Sequence, residues 1–443
     1  MRIDPFKLAH WLNVRKYTIA HAAKVGGIDE QHWREMLRPD HHGDLDLALV
    51  TRVAAVLRVD PAQLAASTPD GVAVAWQSAG DMHATKRLVR RDGIDFYNYY
   101  TLAAADGRVA PVVLDILCPP GRVPALNQGH LEPAITVNLG PGDIHGRWGV
   151  ELTPLSWQIL AANTGADRWI TGDSYVEPSF CPHTYSLVDG TPARIVSYTG
   201  VSNLSGLLEE VNDWPEDRFA RLAGACASGP TPADLLDLLL ARRLHDRASA
   251  AALIGVSAAR LDGALAGPVS EASLALLREL AGALGADYRL LLPPERRWDD
   301  SGKIRLDVPA VRDMIRRVHG YRVASMAGAP HLPDLVGAYM SVGAETGGRL
   351  RDCAETHYFV TGGEPSLGWV DEQGGHEVTL SPDGSAWVAP FVDHWWRGPG
   401  SMLKLGSGPV LGYQAWFELT NTFAPGATLR RGHRDLRGWG YDG

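Results

Sequence analysis

Cysteine is scarce in this chain, with 4 in 443 residues. Cys118, Cys181, Cys226 and Cys353 are scattered, so no disulfide framework is suggested and a reduced, cytoplasmic protein is expected. No stretch approaches eighteen consecutive apolar residues, so no membrane span is expected. The first residues, Met1-Arg2-Ile3-Asp4-Pro5, lack the apolar core of a signal peptide. Positive charge is not in excess: the formal net charge of −9 argues against a nucleic-acid partner. What is present is a globular composition, 45% hydrophobic and 21% charged, in a chain too long for one core.

The fold class expected is α+β, with an order that repeats. Residues 5–66 read as short helices: Phe6, Leu8, Ala9 and Leu12 share a face, Asp29 to Leu37 and Leu45 to Leu57 follow, and Asp60-Pro61 is a helix-start signal. Gly26-Gly27 marks a tight turn. From 71 to 200 short β-rich runs, such as Pro111 to Leu117 and Ala134 to Leu139, alternate with turn signals, as in a barrel. Thr231 to Pro294 is helical again, and 319–424 strand-like again. The reading is a tandem repeat of a small helix-turn-helix-like module followed by a β-barrel. Its parts are helical module 1 at 1–68, catalytic barrel 1 at 69–200, a crossover at 201–230, helical module 2 at 231–295 and structural barrel 2 at 296–443. In the second copy His357 and His394 look like counterparts of two first-copy histidines, while Ala389-Pro390 falls near where the first copy has Glu177-Pro178. The second barrel is therefore expected to have lost its metal.

Those first-copy residues carry the chemistry. Asn127-Gln128-Gly129-His130 and Glu177-Pro178-Ser179-Phe180-Cys181-Pro182-His183 offer two imidazoles and a carboxylate. His130, Glu177 and His183 together suit a non-haem Fe(II) with positions left open for substrate and O2. Glu177 and His183 are an even six apart, which puts them on one face if the strand is regular; Pro178 and Pro182 argue for an interruption. Glu132 is a rival ligand. The run Lys86 to Arg91, ahead of Phe96 to Tyr100, supplies Arg and Tyr groups suited to an anion of phosphate type. Asn127 can add an amide hydrogen bond.

With Phe96 to Ala103, Pro124 to Gly142, Arg168 to His183 and Glu418 to Gly426 as its most specific stretches, the chain resembles the 2-hydroxyethylphosphonate dioxygenase family of cupins over essentially its whole length, from Met1 to Asp442. Methylphosphonate synthase and hydroxypropylphosphonate epoxidase are relatives of that family. The resemblance implies Fe(II) on His130, Glu177 and His183, and phosphonate held by Arg91, Tyr99 and Asn127 beside His183. It implies that Lys16 reaches the site from the helical module and acts there with Tyr99. The implied reaction is O2-dependent C–C cleavage of 2-hydroxyethylphosphonate to hydroxymethylphosphonate and formate. The substrate supplies all four electrons, so no 2-oxoglutarate is expected. The epoxidase has its carboxylate four residues after the first histidine, where this chain has Ala134, and methylphosphonate synthase has glutamine in place of the carboxylate. Methylphosphonate synthesis is the alternative product outcome.

A reading from another class is a helix-turn-helix cupin regulator. The candidate recognition helix, Asp29 to Leu37, carries three acids against one Arg, and Ser257 to Gly263 is not basic either. Neither supplies the footprint that DNA needs. The expected partners are substrate and O2, with no nucleic acid or membrane; a homo-oligomer is compatible with the sequence.

Overall fold

The computed structural model describes all residues except 42, 67–70, 123–124, 149–166, 170–171, 228–230, 267–268, 293–303, 409–411 and 439–443. The ends of three predicted parts (67–68, 228–230 and 293–295) and the last residues of the family resemblance lie outside the described residues. The chain divides into two compact units, one of residues 1–73, 105–107 and 409–443, the other of 74–104 and 108–408.

The first unit is helical. Asp4 caps Pro5–Arg15, whose Leu8, Ala9 and Leu12 are buried. Helices Ile19–Gly26, Glu30–Met36 and Leu47–Leu57 follow, then a 3-10 turn at Pro61–Leu64 capped by Asp60. Gly27 ends the second helix with φ 58, the left-handed geometry expected of the Gly26-Gly27 pair. The single arginine of the candidate recognition helix, Arg34, is paired with Glu30 at 2.8 Å. Residues after 408, assigned from sequence to the second barrel, belong to this unit instead: Asn13 Nδ2 donates to the Arg437 carbonyl at 3.0 Å, and the Arg434 guanidinium lies over the Phe6 ring.

The second unit holds another helical set, Pro232–Arg242, Arg247–Leu253, Ala258–Leu265, Glu271–Ala283 and the 3-10 turn Tyr288–Leu291. One detail matches the first set closely. Arg15 Nε and Nη2 donate to the Leu57 and Arg58 carbonyls, and Arg243 Nε and Nη2 donate to those of Leu284 and Gly285. Each arginine satisfies carbonyls left open at a helix C-terminus. The predicted crossover is itself helical, at Ser205–Val211 and Glu216–Ala227.

Among the described residues the β structure forms two seven-stranded and two three-stranded sheets. The first large sheet runs, in space, Ile304–Leu306, Ser174–Glu177, Ala134–Pro141, Ala193–Thr199, Val112–Ile116, Ile94–Thr101, Arg87–Arg91. Its companion is Asp167–Trp169, Ile144–Trp148, His183–Leu187. Phe96, Tyr97, Leu114 and Ile116 from the large sheet pack with Ile144, Tyr185 and Leu187 from the small one. The opposite face of the large sheet, with Ile135, Val137 and Val196, packs against Phe359, Leu403 and Leu405 of the second barrel. Strand alternation produces this division, one face inward and one toward the neighbouring barrel.

The barrels exchange edge strands. Val74–Gln77, assigned from sequence to barrel 1, pairs with Ser385–Val388 of barrel 2. Ile304–Leu306, assigned to barrel 2, pairs with Ser174–Glu177 of barrel 1. The buried Asp173 carboxylate ties the latter exchange, accepting from Arg305 Nη2 at 2.6 Å and Val308 N at 3.0 Å.

His357 lies in the second barrel, nearly inaccessible, with Nδ1 donating to the Ala103 carbonyl at 3.2 Å. Burial lowers its imidazole from 6.5 to about 4, the carbonyl acting against that shift. The unfolded chain takes up this proton at higher pH than the folded chain does. The His357 contribution is therefore intact above about pH 6.5 and is lost as pH falls toward 4. The expected loss is about 3 kcal/mol, read by urea denaturation at stepped pH. His357→Leu should flatten that part of the profile; an unchanged slope would assign the acid sensitivity elsewhere.

Candidate active site

Three predicted ligands converge. One donor atom from each of His130, Glu177 and His183 lies within 4.8 Å of the others. Glu177 ends a strand of the large sheet and His183 begins a strand of the small one. The two are not on one regular strand: the turn 178–182, with Pro178 and Pro182, folds His183 Nδ1 back to 3.2 Å from Glu177 Oε2. His130 comes from the segment before Ala134–Pro141, and its ring lies edge-on to His183 with centroids 5.6 Å apart.

Hydrogen bonds set each ligand's orientation. His130 Nδ1 lies 2.5 Å from the Glu132 carbonyl, which only accepts, so Nδ1 carries the proton and Nε2 keeps its lone pair. That use of Glu132 is through its backbone; its side chain is exposed and outside the ligand group, so the rival carboxylate assignment does not hold. Asn127 Oδ1 accepts from Gly129 N at 3.0 Å and His183 N at 2.9 Å. This fixes the amide so that Nδ2 faces His183 Nε2 at 2.8 Å. His183 Nδ1 then donates to the Cys181 carbonyl at 3.0 Å. Nε2 is thus the basic atom of both imidazoles, and in His183 it accepts from the Asn127 amide.

Glu177 is buried, 2% exposed, and accepts a 2.5 Å hydrogen bond on Oε1 from the Tyr185 hydroxyl. Burial first, and then the Glu177 charge, push the Tyr185 phenol well above its ordinary range, so it remains a donor. Sequence reading missed Tyr185; standing two residues after His183, it shares that residue's strand face, and this parity is the signal that could have found it. Tyr185→Phe is expected to weaken Fe(II) binding about tenfold in an anaerobic titration while the fold is kept. Unchanged affinity would limit Tyr185 to packing.

The predicted anion groups stand on neighbouring strands. The Arg91 guanidinium lies 4.7 Å from the Phe96 ring centroid and donates through Nη1 to the Ala125 carbonyl at 3.0 Å. Tyr99 has the Arg87 guanidinium over its ring at 5.2 Å. Burial raises the Tyr99 phenol and the Glu177 charge adds to this, while Arg91 and Arg87 oppose it. Tyr99 is thus electrostatically coupled to both the ligand carboxylate and Arg91. Lys16 belongs to the helical unit, where it ends the first helix in left-handed geometry, φ 56.

The donor set, two imidazoles and one carboxylate, fits a ferrous ion. The model of the 2-hydroxyethylphosphonate dioxygenase cupin-like domain matches residues 83–200. A 2-hydroxyethylphosphonate dioxygenase from Streptomyces viridochromogenes is 56% identical over 443 residues, 100% of both chains. A solved structure of PhpD with cadmium, complexed with hydroethylphosphonate, is 53% identical with TM-score 0.79, covering 98% of this chain and 100% of that one. The Streptomyces albus enzyme with 2-hydroxyethylphosphonate and Fe(II) bound has the same fold, with TM-score 0.80 at 20% identity and 98% coverage of each chain.

Proposed function

The chain belongs to the 2-hydroxyethylphosphonate dioxygenase family, and on that premise we propose that it cleaves the C–C bond of 2-hydroxyethylphosphonate with O2, giving hydroxymethylphosphonate and formate. The observation that carries this reading is the convergence of His130, Glu177 and His183. These residues would hold Fe(II), and bound Fe(II) supplies the O2 chemistry. Arg91 and Tyr99 offset and orient the phosphonate charge. Asn127, its amide fixed through Oδ1, has a second Nδ2 proton to offer the same group. His183 borders the substrate as well as the metal. Holding the phosphonate at one end fixes the hydroxylated carbon at the other, which is the positioning the reaction needs.

We propose Lys16, on the resemblance alone, as a further cation for the phosphonate. Lys16→Ala is expected to raise the substrate KM about tenfold or to shift the product ratio, as loss of one charge-assisted hydrogen bond predicts. Unchanged KM and products would remove Lys16 from the site. The whole reading is tested by loading Fe(II) anaerobically, admitting 2-hydroxyethylphosphonate and air without 2-oxoglutarate, and recording phosphorus NMR. Hydroxymethylphosphonate supports it; methylphosphonate assigns the sibling activity; unchanged substrate overturns both.

We further infer that two copies of one helix-plus-barrel unit make up the chain, the first catalytic and the second structural. The matched Arg15 and Arg243 caps and the parallel strand orders of the two large sheets support this.

A further inference from the structure

The second barrel keeps the frame of the first site with different residues in it. Glu177 pairs across the sheet with Ala134, and Val388 with Thr356. Phe180 N donates to the His130 carbonyl at 2.6 Å, and Phe391 N to the Asp352 carbonyl at 2.7 Å. Phe180 and Phe391 both adopt positive φ, 57 and 62. Tyr185 N donates to the Tyr97 hydroxyl at 3.1 Å, and Trp396 N to that of Tyr321 at 2.9 Å. His394 Nδ1 donates to the Val392 carbonyl at 2.9 Å, as His183 does to Cys181. Asp352, Val388 and His394 therefore stand where the first barrel has His130, Glu177 and His183. His357, the residue the sequence suggested for the first ligand, occupies the register of Ile135 instead.

Into this frame comes a lysine. Lys404 pairs with Tyr358 as Ser197 pairs with Thr136, two residues along from Thr356 and Ala134 and so on the same sheet face. Its ammonium is 2.8 Å from Asp352 Oδ2. We propose that the Lys404 ammonium is a built-in cation standing where the second barrel would otherwise take a divalent metal, so that each chain takes one metal ion, in the first barrel. The single-ion count rests on the first-barrel assignment above; the lysine's role does not. A fixed positive charge beside Asp352 neutralises the carboxylate that a metal would need and repels an incoming dication. Burial acts to raise the Asp352 carboxyl, and Lys404 overcomes it, holding the group below the usual range. Val388, in the place of Glu177, supplies no donor atom. In the first barrel the lysine's place is held by Ser197, too short to reach across.

The test is Co(II) stoichiometry on the full chain by anaerobic titration with visible absorption. Native protein and Val388→Glu alone are expected to take one equivalent, Lys404→Ser/Val388→Glu two. Adding His394→Ala should remove the second. Lys404→Ser alone should gain a thermal upshift in excess Co(II) beyond that of native protein, which keeps the idea testable if the double variant misfolds. Two equivalents on the native chain, a second on Val388→Glu alone, a folded double variant holding one, or no extra upshift for Lys404→Ser would each overturn it. Placing Glu177→Ala in the double-variant background separates the two assignments. One ion retained there belongs to the second barrel, whatever the outcome in the first.

Discussion

Glu177→Ala is expected to bind Fe(II) roughly a hundredfold more weakly than the native chain and to lose turnover by on the order of a thousandfold. Glu177 supplies the one carboxylate of the ligand group, so its removal leaves two neutral imidazoles facing a dication. The substitution has a second consequence, because the buried Tyr185 hydroxyl loses its acceptor. That costs about 1–3 kcal/mol, enough to lower the melting temperature but not to unfold a barrel held by two packed sheets. Glu177→Gln separates the effects, since an amide oxygen still accepts from Tyr185 while the charge is gone. Anaerobic Fe(II) titration, oxygen uptake with 2-hydroxyethylphosphonate and thermal melting provide the three readouts. An Ala variant with full oxygen uptake would show that another residue is the anionic ligand.

The grouping of His130, Glu177 and His183 was legible because histidine and glutamate stand out among short apolar strands, and because a proline-bounded turn of five residues can join two of them. The helix boundaries were legible through local capping chemistry, a start at Asp60 and an end at Gly27. Other features depend on pairings that no local pattern encodes. Val74–Gln77 and Ile304–Leu306 look like ordinary strand beginnings, and only the pairing shows that each completes the other barrel. His357 misled because residue type was matched without register. It lies on the sheet face opposite to the one that carries Val388, which holds the place of Glu177, while the residue in the place of His130 is Asp352, a different residue type altogether. Tyr185 escaped notice because a tyrosine in a strand is ordinary until its hydroxyl is seen at a carboxylate.

The crossing of two backbones at Gly129 gives the other large expected effect. Gly129 has φ +70, and a Cβ there would lie 2.5 Å from the Phe180 carbonyl carbon and 2.8 Å from its Cα and oxygen. All three are backbone atoms, so no side-chain rotation relieves the contact. The same crossing contains the Phe180 N to His130 carbonyl hydrogen bond and the Gly129 N bond to Asn127. It thus sets the His130 segment against the turn between Glu177 and His183. Gly129→Ala is expected to cost about 3 kcal/mol, combining left-handed strain with displacement of one backbone from the other. It should weaken Fe(II) binding more than tenfold by moving His130 from the other two ligands. Gly27→Ala is the matched control, with φ +58 and nothing within 4 Å of its Cβ, and should show only the strain of about 1–2 kcal/mol. The difference between the two variants measures the close approach. Equal stability losses, with native iron affinity in Gly129→Ala, would mean that the crossing does not hold the ligands together.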